Sequence, residues 1–163
     1  MRRARLGRRG GKEAVSTING HPQGRWTSTG TVKAVAQLVR VLLVEDSEVL
    51  TERLAEAIRQ NPDVELVGAV DTEDAARAAL KRDHVDVMVL DLHLKQGNGF
   101  GVMRAIAKSP DKPLIIVLTN YDLPQYKDAA LALGAAHFMD KVRDYDKLPE
   151  VLHELVVKVR SRA

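Results

Sequence analysis

From position 39 onward the chain alternates short, unbroken apolar runs with amphipathic stretches of helical spacing, and that alternation leaves few folds open. The runs fall at 39–44, 64–70, 87–90, 114–118 and 137–139, and the stretches at 47–60, 72–83, 98–108, 124–133 and 146–161. VRVLLV, VDVMVL and PLIIVL show no period-two alternation, as parallel strands covered on both faces require. Leu50, Leu54, Ala57 and Ile58 make one helical stripe, and Leu148, Leu152, Leu155 and Val159 make another. Ser47 and Thr72 suit N-caps, Glu73 and Asp74 a first turn, Pro124 a helix start and Gly134 a C-terminal cap. Five such strand–helix units predict an α/β domain over 38–163. Its expected architecture is a doubly wound, five-stranded parallel sheet in the order 2-1-3-4-5, with helices on both faces.

Residues 1–37 follow a different rule. They are rich in Gly, Ser, Thr and Arg without apolar periodicity, so a disordered basic tail is expected there. The first 38 residues hold eight Lys or Arg against Glu13 alone, so the net charge of +3 conceals an acidic remainder. A basic nucleic-acid-binding domain is therefore not expected. Arg2–Arg3 and Arg8–Arg9 look like the start of an export signal, but no apolar segment follows them. A transit peptide, a solvated arm and an over-long N-terminal extension all remain open for this segment. No apolar run reaches membrane-spanning length. The chain has no cysteine, which excludes disulfides and thiol chemistry and suits a reducing cytoplasm.

The chemistry lies where the polar residues fall. Glu45 and Asp46 end the first predicted strand, Asp91 the third and Thr119 the fourth, and Lys141 follows the fifth. Ligands of open parallel sheets bind beyond the carboxyl ends of the strands, where strand order reverses. In the order 2-1-3-4-5 that point lies between strands 1 and 3, so three carboxylates converge on one crevice with Thr119 and Lys141 beside it. Clustered carboxylates raise one another's pKa or attract a cation, and a hard ion such as Mg²⁺ suits carboxylate and phosphate oxygens. A carboxylate can serve as the nucleophile of a phosphoryl transfer, which otherwise needs positioning and neutralised charge.

This constellation resembles the receiver domain of two-component response regulators. The resemblance covers about 39–161 and rests on Glu45–Asp46, Asp91 in VMVLDLHLKQGNGFGVMRAI, Thr119 in IIVLTN, and GAAHFMDK ending at Lys141. It implies that Asp91 accepts a phosphoryl group from a sensor histidine kinase or a histidine phosphotransfer protein. It implies a Mg²⁺ site of Asp46, Asp91, Glu45 acting largely through water, and the His93 carbonyl. Thr119 and Lys141 would bind the phosphoryl group, and Thr119 and Phe138 would form the switch. His93 and Tyr121 stand where the family tunes dephosphorylation. The sequence departs from the family's pattern at Val142, where proline commonly follows the lysine behind a cis peptide, and at Glu45, Lys95 and Asn120.

The chain ends about twenty residues after Lys141, so no DNA-binding or enzymatic output domain is expected. Output would then be a protein contact or onward phosphotransfer, to a partner the sequence does not name. Two other readings stay open: a degenerate receiver acting as a constitutive binding module, and an aspartyl-phosphate hydrolase. The hydrolase would want a second acid where His93 stands. A P-loop is excluded because Gly11–Lys12 lacks the upstream glycine, and GxGxxG because Val102 occupies the last glycine position. Gly97, Gly99 and Gly101 are expected to form a flexible turn into the third helix. His21, His84, His93, His137 and His153 show no metal-ligand spacing, and Trp26 has no aromatic platform around it.

Overall fold

Five strands and five helices alternate along residues 36–163, the part of the chain that the computed structural model describes. They are β1 (Val39–Val44), α1 (Glu48–Arg59), β2 (Val64–Val70), α2 (Glu73–Arg82), β3 (Val87–Leu90), α3 (Gly99–Ile106), β4 (Leu114–Thr119), α4 (Pro124–Ala132), β5 (Ala135–Asp140) and α5 (Leu148–Arg162). The expected disordered tail lies outside the described residues, apart from Ala36 and Gln37.

All strand pairs are parallel, and the sheet runs β2-β1-β3-β4-β5, the flavodoxin-like order. β3 is buried at every position, as an unbroken apolar run demands. One face of the sheet packs on α1 and α5 through Leu54, Ile58, Leu148, Leu152 and Leu155. The other packs on α2, α3 and α4 through Ala76, Ala79, Val102, Met103 and Ala130. Ser47 and Thr72 cap their helices by accepting the amides of Leu50 and Ala75. Gly134, at φ 97°, closes α4 in the left-handed region that disfavours a side chain.

Three expectations change in detail. β5 is longer than the apolar core of its sequence, because the small Ala135 and the capping Asp140 also pair with β4, with Ala136 bulged between Ala135 and His137. α5 begins at Leu148 after a 3-10 turn over Tyr145–Lys147, with Pro149 in its first turn. The expected flexible turn is not one: Gly99 and Gly101 lie inside the first turn of α3, and Gly97, at φ 72°, precedes it.

Candidate functional site

The sheet ladder continues past the strands and fixes the site residues by their backbones. The Glu45 amide donates to Val70 O at 2.9 Å, Asp91 to Val44 O at 2.9 Å and Lys141 to Thr119 O at 3.0 Å. Their side chains therefore leave the carboxyl edge from rigid main chain. Carboxylate oxygens of Glu45, Asp46 and Asp91 all lie within 4.8 Å of one another. Glu45 and Asp91 are buried at 3% and 4% exposure, and Asp46 is the most exposed of the three.

Lys141 is the counter-charge. Its Nζ lies 2.6 Å from Glu45 Oε2 and 2.6 Å from Asp91 Oδ2, so one ammonium bridges two buried carboxylates. The remaining oxygens are partly satisfied by main chain: Ser47 N–H donates to Glu45 Oε1 at 3.0 Å and His93 N–H to Asp91 Oδ1 at 3.2 Å. Thr119 is fully buried, and its Oγ1 accepts the Tyr121 amide at 3.3 Å, which leaves the hydroxyl hydrogen free to donate. The rings of His93 and Tyr121, two residues beyond Asp91 and Thr119 respectively, meet at 5.5 Å between centroids. Phe138 is half-buried against the core beneath α4.

The peptide between Lys141 and Val142 is trans, and the chemistry of the turn explains why proline is dispensable. Asp140 Oδ1 accepts the amides of Val142 and Arg143, each at 2.8 Å, and the Asp140 amide donates to Asp144 Oδ2 at 3.0 Å. Proline at 142 would have no hydrogen to give. The amides of Arg143 and Val142 hold the Asp140 carboxyl below its usual range. Arg143 also pairs with Asp122, tying this turn to the loop after β4. Sequence reading missed Asp140, although an acid before two non-proline residues is the signal that finds it.

Burial pushes the Glu45 carboxyl above its ordinary value of 4.5, and the hydrogen bonds from Lys141 and Ser47 recover only part of that. Burial would also lower Lys141, but its bonds to Asp91 and Glu45 outweigh the loss and its pKa rises. Lys141 thus contributes stability that is complete below the ordinary lysine value and lost only as pH climbs through its higher folded value. Glu45 contributes stability below its ordinary value and loses it as pH rises, so the ionised form is a cost at neutral pH. Glu45→Gln is therefore expected to raise the thermal midpoint of the metal-free domain at pH 7 and to shrink the stabilisation that added Mg²⁺ gives. Thermal melts with and without Mg²⁺ check both changes, and a fall in the metal-free midpoint would refute the sign.

The sequence matches the response regulator receiver domain over residues 41–153. The chain belongs to that family. The receiver is 31% identical over 126 residues to protein-glutamate methylesterase/protein-glutamine glutaminase 1 of Caulobacter vibrioides, covering 77% of this chain and 37% of the relative. It is 27% identical over 125 residues to the sensory transduction protein LytT of Bacillus anthracis, covering 77% of this chain and 50% of that one. The receiver thus spans about a third to a half of the length of these curated relatives. In fold it is similar to the response regulatory domain of mrkE from Klebsiella pneumoniae, with a TM-score of 0.70 at 22% identity, covering 76% of this chain and 99% of that one. It is also similar to the response regulator domain of Thermotoga maritima CheB, with a TM-score of 0.64 at 23% identity, covering 76% and 96%. No helix among the described residues is long and apolar enough to cross a membrane.

Proposed function

We propose that the receiver takes a phosphoryl group on Asp91 from a phosphohistidine of a sensor kinase or phosphotransfer protein. The observation that carries this reading is Lys141 Nζ at 2.6 Å from Asp91 Oδ2 and from Glu45 Oε2, inside a triad of converging carboxylates. An Asp91 oxygen attacks phosphorus while the phosphorus–nitrogen bond breaks, and the imidazole leaves with the bonding pair and takes up a proton. Lys141 neutralises charge on the transferred group, and the free hydrogen of Thr119 is donated to a phosphoryl oxygen. Glu45, Asp46, Asp91 and the His93 carbonyl are the groups suited to hold a divalent cation, and the clustered carboxylate oxygens fit a hard ion. When bound, Mg²⁺ would neutralise phosphoryl charge that Lys141 alone cannot. His93 and Tyr121, whose rings meet, would restrict the water that hydrolyses the acyl phosphate, a reading supported by their positions two residues beyond Asp91 and Thr119.

We assign the receiver to 38–163, a basic arm to 1–37 and the protein to the cytoplasm, where kinases present phosphohistidine. The domain catalyses only its own phosphorylation and dephosphorylation, and signals through protein contacts or a phosphorelay. The output face is that of α4, β5 and α5. α4 buries only Ala130 of its nine residues, so it is lightly held, and half-buried Phe138 lies beside it. Drawing Thr119 toward a phosphoryl group vacates space that Phe138 can fill, which shifts a two-state equilibrium. Thr119→Ala is expected to accept phosphate yet lose most of the chemical-shift response across residues 121–152. Spectra of the phosphorylated wild type and variant test this; a wild-type response confined to the loops around Asp46, Asp91 and Lys141 would move the output elsewhere.

A further inference from the structure

The loop between Asp91 and α3 is held from outside the site by the side chain of Glu73, in the first turn of α2, besides an exposed pairing of Lys95 with Asp71. We infer that Glu73 is a positioning residue: its carboxylate locks the loop carrying His93, and so sets divalent-cation affinity and the rate at which Asp91 is phosphorylated. The inference rests on the reading of Asp91 given above.

The loops after β2 and β3 run side by side. Glu73 N–H donates to Gln96 O at 3.0 Å and Lys95 N–H to Asp71 O at 3.1 Å, while Thr72 and Gln96 form an isolated parallel bridge. Glu73 Oε2 then reaches across and accepts the Asn98 amide at 3.1 Å. Asn98 is the N-cap of α3, its Oδ1 accepting Gly101 N–H at 2.9 Å, and it pairs with His93 in an antiparallel bridge. The next residue touches the acceptor itself: a Cβ on Gly99 would lie 2.4 Å from Asp91 O. A shift at Asn98 therefore reaches the Asp91 main chain within one residue, and His93 through the bridge.

The glycines make room for this carboxylate. A Cβ on Gly101 would stand 2.3 Å from both carboxylate oxygens of Glu73, and one on Gly97 2.4 Å from Oε2. Neither position can carry a side chain while Glu73 stays where it is. An acid in a first helical turn also complements the helix dipole, but exposed Asp74 already supplies that charge in the same turn. Glu73 also pairs weakly with Arg77 at 3.8 Å on its own helix, and the bond to Asn98 is the side-chain contact that reaches the loop.

The test uses the full chain, with Mg²⁺ alone as one probe and acetyl phosphate plus Mg²⁺ as the other. Glu73→Ala should speed hydrogen exchange at the Asn98 and His93 amides and weaken Mg²⁺ binding. The loss should be roughly threefold to tenfold, at or below the low end of what removing a direct partner of a metal ligand costs. Labelling of Asp91 should slow in proportion. Glu73→Gln keeps an acceptor oxygen and should restore most of all three. Gly101→Ala should reproduce Glu73→Ala, and the double variant should be no worse than either, because one contact is lost once. Unchanged exchange and Mg²⁺ affinity in Glu73→Ala, equal losses in the Gln and Ala variants, or additive losses in the double variant would each overturn the assignment. Wild-type protein that binds Mg²⁺ but takes no label on Asp91 would overturn only the phosphoacceptor reading, since exchange and Mg²⁺ affinity still decide the clamp.

Discussion

Asp91→Asn is expected to abolish labelling outright. Acetyl phosphate with Mg²⁺ should add one acid-stable, base-labile phosphoryl group to the wild type and none to the variant. The effect is total because an amide oxygen cannot form an acyl phosphate, and the change removes the nucleophile with almost no change of shape. Asparagine keeps an oxygen for the His93 amide, and Lys141 keeps Glu45 as partner, so the fold should survive. Mass spectrometry of intact protein reads the result, and phosphate retained by the variant would mean another side chain is the acceptor.

The second large effect lies in stability. Lys141→Met keeps the length of the stem and removes only the ammonium, leaving Glu45 and Asp91 buried, adjacent and of like charge. Breaking a buried pair this way costs about 3 kcal/mol at neutral pH, which lowers the thermal midpoint by roughly 10 °C in a domain of this size. The cost should grow with pH. Glu45 already sits above its ordinary value of 4.5, so acid relieves the repulsion by protonating it and rising pH restores it. Added Mg²⁺ should return part of the loss by replacing the missing positive charge. Melts of wild type and variant across pH 4.5–8, with and without Mg²⁺, decide the matter; a pH-independent difference would show that packing rather than charge was lost.

Most of the fold was legible because a parallel sheet covered on both faces writes itself as unbroken apolar runs. β1 and β3 were bounded correctly for that reason. β5, an edge strand with three consecutive half-buried residues, carries a weaker pattern and was read short. The carboxylates, Thr119 and Lys141 were legible because strand ends mark the crevice. The contribution of Asp140 was missed because it reshapes a turn instead of touching the chemistry. Glu73 was readable as a first-turn acid, but nothing local connects position 73 to positions 97–101. Only the packing of α2 beside the β3–α3 loop makes that connection, and the three glycines consequently looked like slack instead of clearance.

Lys141 meets Asp91 across 50 positions of chain, one residue beyond the last strand to be made. During synthesis Glu45, Asp46 and Asp91 emerge before Lys141, so the three acids are made before the ammonium that bridges two of them. β5 pairs only with β4 at the sheet edge, and its docking both completes the sheet and delivers that ion. On the proposed reading, a chain arrested before position 141 would carry the acceptor without its counter-charge.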